Sequence, residues 1–147
     1  MHKSLFALLA LIVATFIATP VASACSCIWP PNVVEHYRGA DHVVVGTVLG
    51  EREVGWDRIF RVRVHKTIKG CVEAGETVYL STPLQSATCG ANFTIGKTYV
   101  FMGGDDGMWQ GDQVISVNSC GFNMPINSIS TADRRYLLDR PVTCQGN

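Results

Sequence analysis

All six cysteines of this chain fall after its first 24 residues, and the first two stand together as Cys25-Ser26-Cys27. The preceding stretch reads as a signal peptide over residues 1–24. Met1-His2-Lys3 supplies the charged start, Leu5 to Ala18 the apolar core, and Ala22-Ser23-Ala24 the small-x-small cleavage site. The apolar run is short for a membrane span, so no membrane insertion is expected. Cleavage after Ala24 makes Cys25 residue one of a secreted, extracellular chain. An even set of cysteines in an exported chain implies a disulfide framework. Six cysteines allow about 15 pairings, and spacing does not choose among them. A bridge from Cys25 or Cys27 to a distant cysteine closes a long loop, worth roughly 4 kcal/mol in the chain-entropy model. A bridge on Cys25 also immobilises its α-amine beside its own carbonyl, and that pair can act as a two-point metal ligand.

Competing uses of these cysteines fit less well. No C-x-x-C pair is present, and Cys25-Ser26-Cys27 is too tight for a zinc knuckle. A lipoprotein would acylate Cys25 and leave an odd number of cysteines. Ala22-Ser23-Ala24 also lacks the Leu usual before a lipidated cysteine.

Residues 25–147 amount to one domain with its own core. The whole chain carries 12 basic and 12 acidic residues. Only Lys3 lies in the leader, so the mature charge is −1. That balance offers no field for nucleic acid. Asn32 is placed to cap a short helix ending at Gly39. The β-branched run Val43 to Leu49 predicts a buried strand, and Glu51 to Asp57 a polar turn. Phe60, Val62 and Val64 alternate with Arg61, Arg63 and His65, a strand with one wet face. Further strands are expected at Thr77–Thr82, Thr98–Met102 and Val114–Val117, with a turn at Gly103–Gly107. Ser130-x-x-Asp133 starts a helix through Leu138, with Leu137 and Leu138 packed on the sheet. Five short strands and a terminal helix predict a mainly β, five-stranded, OB-like closed barrel with short helices, stapled by disulfides.

The chain resembles the N-terminal inhibitory, netrin-like domain of the tissue inhibitors of metalloproteinases. The resemblance rests on Cys25-Ser26-Cys27 before a proline-rich stretch, Asp41 to Gly46, Lys66 to Gly70 and Ser86-Ala87-Thr88-Cys89-Gly90. Its strongest part is Ser119-Cys120-Gly121-Phe122, Pro125, Asn127 to Ser130, Arg134-Arg135 and Cys144, in order and spacing. It implies disulfides Cys25–Cys89 and Cys27–Cys120. The family's usual cysteine in the first helix is missing here, where Val34-Glu35-His36-Tyr37 stands. Cys71 is extra, and Cys71–Cys144 is the simplest repair. The resemblance ends at Cys144, so functions of the family's C-terminal domain are not carried over.

It further implies an inhibitor of zinc metalloproteinases, with no catalytic residues and no cofactor of its own. The Cys25 amine and carbonyl would chelate the zinc of the target enzyme. Ser26 would enter the specificity pocket. Cys27, Ile28 and Trp29 would continue along the cleft, and Thr88 and Cys89 would form the other half of the ridge. The partner is a matrix-metalloproteinase-like enzyme, bound 1:1 by a monomer. The alternative is a non-inhibitory netrin-like binding module in extracellular matrix, receptor or innate-immune signalling. No Ser/His/Asp or paired-carboxylate set suggests an enzyme. His36, His42 and His65 lack metal spacing. Arg61, Arg63, His65 and Lys66 form a basic stripe, read as a solvated strand face with glycosaminoglycan binding as its alternative. Asn92-Phe93-Thr94 is an N-glycosylation sequon.

Overall fold

The computed structural model describes residues 25–27 and 31–144. The leader, Ile28 and Trp29 lie outside the described residues. The chain is mainly β. Helix α1 (Val33–Gly39) precedes β1 (His42–Val54), β2 (Asp57–Lys69), β3 (Thr77–Pro83), β4 (Thr98–Trp109) and β5 (Asp112–Ser116). A two-residue β6 (Met124–Pro125) and helix α2 (Thr131–Leu138) follow. The first five strands form a ring of pairings in the order β1-β2-β3-β5-β4, closed by β1 against β4. All of these pairs are antiparallel except β3 with β5.

The valine run of β1 is buried because both of its faces are covered. Val44 and Val48 point into the ring, against Phe60, Val62, Leu80 and Phe101. Val43 and Val45 point the other way, into a second core with Val33, Ile68, Met102, Phe122 and Leu137. That second core seats both helices on the outside of the ring. β4 alternates likewise, Phe101 inward and Val100 and Met102 outward. A strand buried on both faces reads as a continuous apolar run.

The helix ends follow from local chemistry. Asn32 Oδ1 accepts from the amides of Val34 at 2.9 Å and Glu35 at 3.3 Å, satisfying two first-turn donors. The other end of α1 is held by Lys69, whose Nζ donates to the carbonyls of Tyr37, Arg38 and Ala40. Ser130 Oγ accepts from the Asp133 amide at 3.1 Å and starts α2. Asn32→Ala should cost about 1 kcal/mol, read as a shift of the denaturant midpoint at unchanged slope.

Two expected turns are strand instead. Glu51–Val54 continues β1, and only Gly55-Trp56 turns. Gly103–Trp109 continues β4, with an irregularity between Asp105 and Met108. Glu51–Val54 and Asp105–Met108 are exposed on both faces, so no alternation marks them. β6 was not foreseen; it bonds to β4 beside Tyr99 and Val100.

Candidate functional site

The Cys-Ser-Cys segment is tied at both cysteines. Cys25 is bridged to Cys89 with Cα atoms 5.3 Å apart, and Cys27 to Cys120 at 5.1 Å. The third disulfide, Cys71–Cys144, lies elsewhere and joins the end of β2 to the C-terminal tail. There Gly70 N–H donates to the Thr143 carbonyl at 2.9 Å. The first two bridges touch, with Cys25 Sγ 3.5 Å from Cys120 Sγ and 3.6 Å from Ser119 Oγ. Sulfurs of Cys25, Cys89 and Cys120 therefore cluster within 4.8 Å. All are oxidised, and a bridged sulfur offers no thiolate to a metal. The cluster is a double staple.

Each staple lands on a braced loop. Cys89 closes the 3₁₀ turn Ser86–Thr88 in the left-handed region, with φ +62°. A non-glycine residue there costs about 1–2 kcal/mol. The strain is held by Cys89 N–H to the Ser86 carbonyl at 3.1 Å and by Ser119 N–H to the Cys89 carbonyl at 2.8 Å. The second bond also fastens the Cys89 loop to the Cys120 loop. Cys120 N–H donates to Asn118 Oδ1 at 2.9 Å. Asn123 donates to the Asn118 carbonyl at 3.1 Å and accepts from the Met102 amide of β4 at 3.1 Å. Asn118 and Asn123 were not singled out in the sequence. Asn-Ser-Cys-Gly-Phe-Asn, with an Asx turn at its start, was the available signal.

Gly90 is required by the same turn. A Cβ there would stand 2.1 Å from the Pro83 carbonyl oxygen and 2.9 Å from that of Gln85. Both are backbone atoms that cannot rotate away. Gly90→Ala should therefore open the turn, lower stability by about 2–3 kcal/mol in denaturant unfolding, and displace Cys89.

Ser26 is exposed between the two half-buried cysteines, and Thr88 is exposed on the turn that Cys89 ends. The structure thus brings Cys25, Ser26, Cys27, Thr88 and Cys89 together on one braced surface. Beside it lies the β1–β2 hairpin tip. Leu84 N–H donates to the Trp56 carbonyl at 2.9 Å, and Trp56 is 83% exposed, with Val54 at 46%. Sequence reasoning had placed both in a polar turn. Asn92 is exposed too, its Oδ1 accepting from Arg58.

A family model described as "Tissue inhibitor of metalloproteinase" matches residues 23–144. The chain belongs to the tissue inhibitor of metalloproteinase family. A curated Drosophila melanogaster protein named "Tissue inhibitor of metalloproteinase" is 35% identical over 107 residues. That match covers 69% of this chain and 50% of the relative, so the chain matches half of the relative's length. Within the family match lie both staples, both braced loops, the Cys71–Cys144 bridge and the whole strand ring.

Proposed function

We propose that this chain is a secreted inhibitor of zinc metalloproteinases rather than an enzyme, and that the Cys25 end is its inhibitory element. Residues 1–24 are removed as a signal peptide, and residues 25–147 act as one netrin-like unit on an OB-like barrel. The observation that carries the reading is the double staple. It leaves Ser26 exposed while fixing the residue on either side of it.

A catalytic metalloproteinase zinc has three protein ligands and an open position holding water. Once Cys25 is residue one, its α-amine nitrogen and carbonyl oxygen form a chelating pair that displaces this water. The reference pKa of an α-amine is near ~8, so a useful fraction is neutral at physiological pH. Zinc binding removes the remaining proton. The disulfides have already frozen the backbone torsions that binding would otherwise freeze, and preorganisation of this kind raises affinity. Zinc belongs to the target enzyme; the inhibitor holds none of its own. The complex is 1:1, with the mature chain a monomer.

Ser26 enters the specificity pocket beside the zinc. Ile28 and Trp29 extend along the cleft on one side, and Thr88 and Cys89 line it on the other. Ser26→Glu should weaken inhibition by about tenfold to a hundredfold, because a carboxylate would be desolvated in the pocket. The measurement is the inhibition constant against several zinc metalloproteinases. Unchanged constants across the panel would remove Ser26 from the pocket.

A further inference from the structure

We infer that the outer face of the sheet carries a second binding site, for an oxyanion borne on an aromatic ring, such as a tyrosine sulfate or phosphate ester in an acidic peptide. The site is a half-open groove of about 300 Å³. It is lined by Gly50, Arg52, Ile59, Arg61, Tyr79 and Gln110, and by the carboxylate-bearing Glu51. That volume is at the small end of the usual range for ligand pockets, about 300–1,000 Å³. None of these residues belongs to the ridge around Cys25.

Register explains how the groove forms. Gly50 stands opposite Arg61, and Arg61 opposite Tyr79, across β1, β2 and β3. Gly50 has no side chain, and a Cβ built on it meets nothing within 4 Å. Arg52 stands opposite Ile59, the apolar floor, which is only 9% exposed. Trp109 reaches over from the β4–β5 hairpin. The Arg52 guanidinium lies 3.6 Å over its ring centroid, and Tyr79 packs edge-on at 4.7 Å.

Two features point to a ligand. The first is unspent positive charge. Among the described residues the one ion pair is Arg58–Glu53, at 4.0 Å. Among the described residues neither Arg52 nor Arg61 has a carboxylate partner or a hydrogen-bond acceptor, although Glu51 lines the same groove. Arg52 is nevertheless held in place by stacking, so its donors are preorganised. The second is strain at the rim. Gln110 sits at φ +54° as the first residue of the two-residue turn Gln110-Gly111 between β4 and β5. Such turns prefer Asn or Gly, and strained residues gather at ligand clamps.

The chemistry selects an aryl anion over a sugar. Trp109 does not line the groove; Arg52 covers its face. The face that Arg52 covers is closed to a pyranose ring. The groove instead presents the free face of a stacked guanidinium, on which an arene continues the stack. Arg61, across the gap left by Gly50, is placed for the oxyanion.

The test titrates the oxidised mature protein by calorimetry with three short acidic peptides. They are identical except for a tyrosine that is sulfated, phosphorylated or unmodified. The sulfated or phosphorylated form should bind at least about tenfold tighter than the unmodified one, and the preferred ester identifies the source. Arg61→Gln should lose about tenfold of that affinity. Trp109→Leu should lose about threefold to tenfold with Arg52 intact. Gly50→Leu should abolish binding while leaving the thermal midpoint and protease inhibition unchanged. Equal binding of all three peptides would overturn the proposal. So would esters that bind Arg61→Gln and Gly50→Leu as well as the parent. A sulfated oligosaccharide that outcompetes both esters and is lost in Arg61→Gln would replace it with a polysaccharide site.

Discussion

A chain with one extra alanine before Cys25 should fold with unchanged stability and lose inhibition of zinc metalloproteinases by about a thousandfold. The addition converts the Cys25 amine to an amide, which has no lone pair to give to zinc. It also moves the nearest free amine one residue away, about 3.8 Å along the chain and outside the staple. Losing the amine ligand, and with it the chelate ring, is worth on the order of 4 kcal/mol, which is the thousandfold. The fold is indifferent, because the core lies inside the ring and beneath the two helices. Near-ultraviolet dichroism and the thermal midpoint check the fold, and the inhibition constant checks the function. Inhibition retained by the extended chain would falsify chelation.

Removing disulfides pairwise should separate stability from function. Cys71–Cys144 spans 73 residues and Cys27–Cys120 spans 93. Chain entropy assigns each about 4 to 5 kcal/mol. That is a large share of a total stability of about 5–15 kcal/mol. Both double Cys→Ser variants should therefore unfold at much lower guanidinium concentration. They should differ in potency once folded. Without Cys71–Cys144 the ridge is untouched, and the folded protein inhibits as before. Without Cys27–Cys120, Ser26 is clamped on one side only, and affinity falls by at least about tenfold as binding must order the segment. Equal loss of potency in the two variants would mean that the staples serve stability alone.

The sequence carries the buried strands, the capped helices and the cysteine-rich start, each for a physical reason. Val43 to Val48 is legible because burial on both faces demands an unbroken apolar run. Asn32 and Ser130 are legible because capping is local. The hairpin ends are hidden for the opposite reason. Glu51–Val54 and Asp105–Met108 are exposed strand, where pairing constrains the side chains little. Disulfide partners are equally non-local. Spacing left about 15 pairings; the resemblance supplied Cys25–Cys89 and Cys27–Cys120, and Cys71–Cys144 was the simplest repair for the two cysteines left over. The braces behind the ridge are legible only in hindsight. Asn118 and Asn123 read as ordinary turn residues until Met102 and Cys120 stand beside them. The Arg52–Trp109 stack joins β1 to the far end of β4, which no local pattern encodes.

The most direct test titrates refolded residues 25–147 into a panel of zinc metalloproteinases while peptide cleavage is followed. Mass spectrometry first establishes three disulfides and an unmodified Cys25 amine. Stoichiometric inhibition that disappears when that amine is carbamylated is the predicted result. No inhibition of any enzyme by the correctly bridged protein, or inhibition indifferent to carbamylation, would contradict it.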